Sequence, residues 1–305
     1  MMSKWALYWK HNQQKWMPFV FLAPATLFFL VLIVYPIVES LRLSFFKWDG
    51  LGEKNWVGGG NYVELLSDHR FWLSVRNTFY WTVFFLIAPV VGLLLAIFLN
   101  QKIRGIRFVK SMFFFPFVIS QVVVGLVFAW FYEPHNGLLN EVLKFLGMSP
   151  IAILSNENWV TFGIIAAGMW PQVAYCLIIY LTGLSGLSPT LIEAARLDRA
   201  KGWKMLWYII IPQLRSATFV AVVISVIGAL RSFDLISIMT GGGPYDSSSV
   251  LAYFMYDQTM FSYRMGYGAA IASVLFVLMD IYIVYFLIRL WRGERGTSDR
   301  SILGN

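Results

Sequence analysis

The sequence predicts an all-α membrane protein of six transmembrane helices, with both termini cytoplasmic and a short cytoplasmic helix-turn-helix between the fourth and fifth spans. Three observations carry this prediction. Hydrophobic residues make up 58% of the 305 positions and charged residues only 13%, against roughly 25% charged in soluble domains. Six apolar stretches are each long enough for a helix to cross the hydrocarbon core, which takes about 20 residues. Lysine and arginine gather beside alternate connections, as they do in cytoplasmic loops of membrane proteins.

Residues 1–18 come first, as a cytoplasmic or interfacial segment. Trp5, Tyr8, Trp9 and Trp16 interleave with Lys4, Lys10 and Lys15. Two readings fit: a helix lying at the headgroup layer, or a frayed tail with aromatic anchors. The segment lacks the short apolar core and small-residue cleavage site of a secretory signal. Residues 19–290 form the membrane domain, with spans at about 19–45, 72–99, 108–131, 160–184, 217–240 and 268–288. Pro24, Pro36, Pro89, Pro116 and Pro171 fall inside spans. Membrane helices tolerate such breaks where neighbouring groups satisfy the freed carbonyls. Residues 291–305 form a cytoplasmic tail.

Orientation follows from the charges. The N-terminus, the second connection (Lys102, Arg104, Arg107, Lys110), the fourth (Arg196, Arg199, Lys201, Lys204, Arg215) and the tail (Arg289, Arg292, Arg295, Arg300) are strongly basic. The first connection is mixed, the third carries Glu133, Glu141 and Glu157 against Lys144, and the fifth carries Asp246 and Asp257 against Arg264. Both ends therefore face the cytoplasm, which requires an even number of spans. The net charge of +8 is accounted for by this topology and needs no nucleic-acid partner.

Several chemistries are excluded. The lone Cys176 builds no disulfide framework and no thiolate metal site. His11, His69 and His135 are far apart, and the chain has no GxxxxGK[ST] phosphate cradle. No cofactor or metal is expected in the chain itself. A membrane enzyme would need clustered acid–base or metal groups at one face. A self-sufficient secondary transporter would often show internal repeats and more spans. Neither pattern is present, so the chain reads as non-catalytic.

The segment between spans four and five, residues 188–215, is the most informative. LIEAARLDRAK has strong helix formers, with Glu193 early and basic residues later, matching a helix dipole. Gly202 permits a turn, and WKMLWYII makes a second short helix ending before Pro212. Such a pair reads either as a docking element for a cytoplasmic protein or as a connector lying on the membrane.

This segment resembles the EAA loop of binding-protein-dependent ATP-binding-cassette permeases, in which Glu-Ala-Ala precedes a glycine and, further on, an Ile-any-Leu-Pro. Here Glu193-Ala194-Ala195, Ile209 and Pro212 match, Asp198 and Ala200 keep the common surroundings of the glycine, Arg199 replaces the glycine itself, and Ile211 replaces the leucine. Gly202 is then the candidate to make the turn. The resemblance implies that Glu193, Ala194, Ala195, Asp198 and Gly202 couple this subunit to a separate ATPase that binds ATP and Mg. Residues 56–78, the NGLLN at 136–140, the GGGP turn at 241–244 and the MGYGAAIA at 265–272 resemble the carbohydrate branch of the family. That branch includes the maltose, glycerol-phosphate and multiple-sugar importers. The GGGP turn resembles the first of two permeases, which implies a heterodimer with a second permease, an ATPase dimer and an extracytoplasmic sugar-binding protein, in a bacterial or archaeal cytoplasmic membrane. The resemblance implies import of a sugar or derivative, with glycerol phosphate or a polyol as the alternative.

Polar residues deep in spans are functional candidates, because burying them is costly. Gln172 and Tyr175, three apart after Pro171, offer an amide and a phenol suited to sugar hydroxyls and ring faces. Arg231 and Asp234, also three apart, are placed to pair on one helix face. By register with the maltose system, the resemblance implies that Gln172, Tyr175, Ser225, Gly228, Arg231 and Ser232 line the substrate pathway, and Asp234 joins them. Arg231 would favour an anionic sugar.

Overall fold

The computed structural model describes residues 4–101 and 104–302. The side chains of the first fifteen residues, Lys102, Arg196 and the arginines from Arg289 onward lie outside the described residues.

The described chain is mostly helical. In order it forms α1 (Lys4–Phe29), α2 (Tyr35–Leu43), a small antiparallel hairpin of β1 (Phe46–Lys47) and β2 (Asn55–Trp56), α3 (Gly60–Ser67), α4 (His69–Phe85) and α5 (Ile87–Leu99). Then follow α6 (Ile106–Val118), α7 (Gln121–Phe131), α8 (Leu138–Phe145), α9 (Val160–Ser185), α10 (Pro189–Leu197), α11 (Trp203–Met205) and α12 (Ile211–Gln213). The last four are α13 (Arg215–Leu230), α14 (Asp234–Met239), α15 (Leu251–Tyr256) and α16 (Met265–Ile302).

Four helical runs are long and apolar enough to cross a membrane: Trp16–Leu43, His69–Leu99, Val160–Ser185 and Met265–Ile288. Two bent pairs raise the number to six if each is one span. The first bend falls inside the expected span 108–131, and the second lies just before the expected span 217–240. The stretch 108–131 breaks at Ile119 and Ser120, whose ψ angles of 139° and 147° are extended, and α6 and α7 diverge by 99°. Ser120 then caps α7 by accepting the Val123 N–H. The stretch 217–240 is also not one helix. α13 starts at Arg215, 70° from the preceding Trp203–Gln213 segment, and ends at Leu230.

Two π-helical turns share one cause. Leu30–Val34 precedes Pro36, and Leu206–Ile210 precedes Pro212. In each, the residue just before the proline donates five residues back: Tyr35 to Leu30 and Ile211 to Leu206. Proline offers no N–H and its ring crowds the carbonyl four residues back. A turn widened by one residue makes room, so the helix continues. The second helix of the pair expected in the cytoplasm accordingly runs through Pro212 to Gln213, rather than ending before the proline, and the Gln213 amide donates to the Ile209 carbonyl at 3.0 Å.

The chain divides into two units, residues 1–65 with 258–273, and residues 66–257 with 274–305. In the first, the buried Asn61 amide donates to the carbonyls of Ser44 (2.7 Å) and Phe46 (2.9 Å). Gly266 lies so close to the Phe46 carbonyl that any Cβ there would overlap it, so glycine is required by contact rather than by conformation.

The second unit holds the larger core. Ala88 and Ala96 of α5, Cys176, Leu177 and Tyr180 of α9, and Leu214 and Ala221 are buried together. Small residues mark the closest approaches, as in membrane helix pairs generally: Gly92 against Cys176, and Gly183 against Ala217 and Leu214. A polar layer fixes the loop before α15. Asn77 donates to the carbonyls of Ser247 (2.7 Å) and Ser249 (2.8 Å), and Thr161 also donates to Ser247 (2.8 Å). Arg70 pairs with Asp246 at 2.8 Å and Asp257 at 3.1 Å. The fifth connection thus uses its acids on a cation of α4, a relationship that charge counting by connection did not reveal.

Candidate functional site

α9 and α13 carry most of the residues expected along a substrate pathway. Their core-facing sides pack on each other. Where α13 ends, the chain turns through Arg231, Ser232 and Phe233 before entering α14. A cleft of about 370 Å³ opens at this break, lined by Gln172, Tyr175, Gly228, Arg231, Ser232 and Asp234, together with Trp81, Gln121 and Phe233.

Ser225 is not part of the wall. It is fully buried one layer behind it, donating to the Ala221 carbonyl at 2.7 Å and accepting from the Gln172 amide at 2.9 Å. The amide N–H of Gln172 is therefore committed to the protein. Its Oε1 lies beside Gly228, where a Cβ would make an ordinary contact at 3.7 Å. Tyr175 is held flat against Phe117, ring centroids 5.0 Å apart and planes 3° from parallel. The Ser232 hydroxyl donates back to Gly228 at 3.2 Å.

Arg231 and Asp234 do not form the pair that their spacing suggested. Among the described residues no ion pair joins them. The reason is the break: Arg231 caps the C-terminus of α13 and Asp234 opens α14, so they do not share a helix face. Each charge instead sits at the helix end whose dipole favours it, and both are exposed to the cleft.

Sequence reading missed Trp81, Gln121 and Phe233. Gln121 had a signal, an amide inside an apolar run. The other two are ordinary aromatics until folding places them. The Trp81 Nε1 is, among the described residues, one of the few buried side-chain polar atoms without a hydrogen-bond partner. A larger cleft of about 610 Å³ lies in the first unit, near Trp48, Asn55 and Arg264; no expected pathway residue lines it.

The helix pair expected on the cytoplasmic side is α10 followed by α11, the π turn and α12. Pro189 opens α10, where its missing N–H is harmless. This places Glu193 mid-helix rather than in the first turn, so the dipole argument for it fails. Glu193, Ala194, Asp198 and Gly202 are exposed, whereas Ala195 is 5% exposed and packs inward. The helix ends in a Schellman turn: the Ala200 N–H donates to the Ala195 carbonyl at 2.9 Å, across Arg199 in the left-handed region at φ 59°. Arg199 therefore adopts the conformation a glycine would adopt easily. Gly202 makes a separate turn, at φ 55° and ψ −125°, before α11. The expectation that Gly202 takes over the turn at 199 is corrected accordingly. Trp203 (70% exposed) and Tyr208 (77%) project beside this surface.

Residues 88–292, spanning α5 to α16 and so both the cleft and this helix pair, match the family model described as the binding-protein-dependent transport system inner membrane component. The chain belongs to this family. As a permease of that family it is similar to the probable ABC transporter permease YurN of Bacillus subtilis, at 36% identity over 273 residues covering 88% of this chain and 93% of the relative. It is 35% identical to the osmoprotective compounds uptake permease GgtC of Synechocystis, over 85% of this chain and 94% of that one. It is 32% identical to the sulfoquinovosyl glycerol transport system permease SmoG of Agrobacterium fabrum, over 88% of each chain. The permease fold matches a chain in a crystal structure of a bacterial ABC transporter for alginate import, with a TM-score of 0.82, 22% identity, and coverage of 93% of this chain and 98% of that one.

Proposed function

We propose that this permease is the non-catalytic, six-span membrane subunit of an ATP-driven importer for a sugar or sugar derivative, with both termini cytoplasmic. The observation that carries the reading is the exposed surface of Glu193, Ala194 and Asp198, ending in a fixed turn at Arg199 and joined through α12 to α13, which lines the cleft. A rigid surface at one end of a helix and a substrate-sized cleft along it are what alternating access requires. Force enters at the loop and the cleft changes its exposure. The ATPase dimer, with its ATP and Mg, a second permease and an extracytoplasmic binding protein complete the system.

The sugar assignment draws on the cleft and on the relatives. A glutamine amide, a stacked tyrosine, a hydroxyl, and an arginine and an aspartate not paired with each other suit a polyhydroxylated ligand with apolar ring faces. Relatives are named for arabinooligosaccharides, multiple sugars, alpha-glucosides and sn-glycerol-3-phosphate. The last, with Arg231 in the cleft, supports glycerol phosphate or a polyol as the second reading.

The test is ATPase stimulation by the binding protein across a sugar panel, in vesicles holding all subunits. Stimulation by a carbohydrate is expected, and silence across the panel would sink the assignment. Glu193→Lys should abolish stimulation while the chain still inserts; unchanged transport would remove the coupling role.

A further inference from the structure

Asp280 lies within the apolar run Met265–Ile288, eight residues before its end, which is about 12 Å along the helix. An aspartate side chain is too short to reach the interface from there, unlike lysine or arginine. The residues one turn away on either side, Phe276, Val277, Ile283 and Val284, are apolar. No ion pair involves Asp280 among the described residues.

Its direction is set by its neighbours. Tyr282 donates to the Val222 carbonyl and Phe286 packs on Phe219, so this side of α16 faces α13. Two residues turn an α-helix by about 200°, which points Asp280 away from α13. The carboxylate is exposed there, on a face shared with Val277 (51% exposed), Ile281 (63%), Val284 (52%) and Leu287 (56%). An ionised carboxylate facing lipid tails at this depth is strongly unfavourable, and such residues normally face protein and meet a partner.

We propose that this face of α16 packs against the second permease, and that Asp280 pairs there with a lysine or arginine of that subunit. The proposal rests on the heterodimeric reading above. An apolar stripe with a single buried charge pair gives both contact area and register, and it distinguishes the correct partner helix from others of equal hydrophobicity.

The experiment places a bimane label at Asp280→Cys, and separately at Phe108→Cys, in a chain carrying Cys176→Ser. The assembled transporter is put in nanodiscs containing brominated lipid. Phe108 is 71% exposed on α6 and outside the proposed face, and serves as the reference position. The label at 280 should be quenched at least threefold less than the label at 108 in the complex, and as strongly as it in the isolated subunit. Asp280→Lys should reduce co-purified second permease about tenfold, and Asp280→Asn much less. Equal quenching at 280 and 108 in the complex overturns the proposal. So does undiminished co-purification of Asp280→Lys. If the unsubstituted chain retains no second permease, it is the heterodimeric reading that fails, and the proposal falls with it.

Discussion

Gly92 on α5 sits against Cys176 on α9 so closely that a Cβ on residue 92 would stand 2.6 Å from the Cys176 Cβ and 3.0 Å from the Leu177 backbone nitrogen. This contact lets two long apolar helices meet backbone to backbone, where dispersion and packing rather than solvent exclusion hold membrane helices together. Gly92→Ala should lower the stability of the purified complex by about 1–3 kcal/mol, the usual cost of overpacking. Adding Cys176→Gly should recover part of the loss. Unfolding in detergent measures both; an unaffected Gly92→Ala would mean that the helices separate without cost.

Asn77 pins the loop before α15 from a site 1% exposed. Replacing it with leucine keeps the volume but orphans the Ser249 carbonyl, whereas Ser247 keeps its bond from Thr161. Asn77→Leu should cost about 1–3 kcal/mol, the desolvation penalty of one unsatisfied group. Hydrogen exchange in residues 241–250 should rise ahead of the rest of the chain.

Arg199 holds a left-handed backbone at φ 59°, a conformation that costs an ordinary residue about 1–2 kcal/mol. Arg199→Gly should stabilise the end of α10, by up to about 1 kcal/mol after glycine's own entropy cost. Arg199→Val should loosen it and, under the proposed function, weaken ATPase coupling. Exchange protection of the Ala200 amide reads the turn directly, because that N–H closes it.

Arg231 and Asp234 present separate charges to the cleft instead of neutralising one another. Under the proposed function, Arg231→Gln should raise the half-saturating concentration of an anionic sugar about tenfold, the value of one charge-assisted hydrogen bond. Neutral sugars should shift by no more than about twofold. Equal shifts for both classes would assign Arg231 to holding the α13–α14 break instead.

The membrane class, and the family resemblance carried by residues 193–212, were legible in the sequence. Each depends on properties that survive without a fold: hydropathy over a bilayer's thickness, short-range helix propensity, and spacing along the chain. The polar residues of α9 and α13 that line the cleft were legible for the same reason, since a polar side chain in an apolar span is conspicuous wherever it points.

Tertiary structure alone decided what those residues do to each other. It broke the expected pair of Arg231 and Asp234 by ending a helix between them, set Ser225 behind the cleft rather than in its wall, and brought Trp81 and Phe233 to the site. It turned Ala195 inward beside the exposed Glu193, and it gave Arg199 the turn that sequence reading assigned to Gly202. Helix ends, bends and facing directions depend on contacts between segments far apart in the chain, whose energies no local pattern records. Composition and spacing determined that this chain crosses a membrane and which segment marks its family; packing determined which charges stand alone.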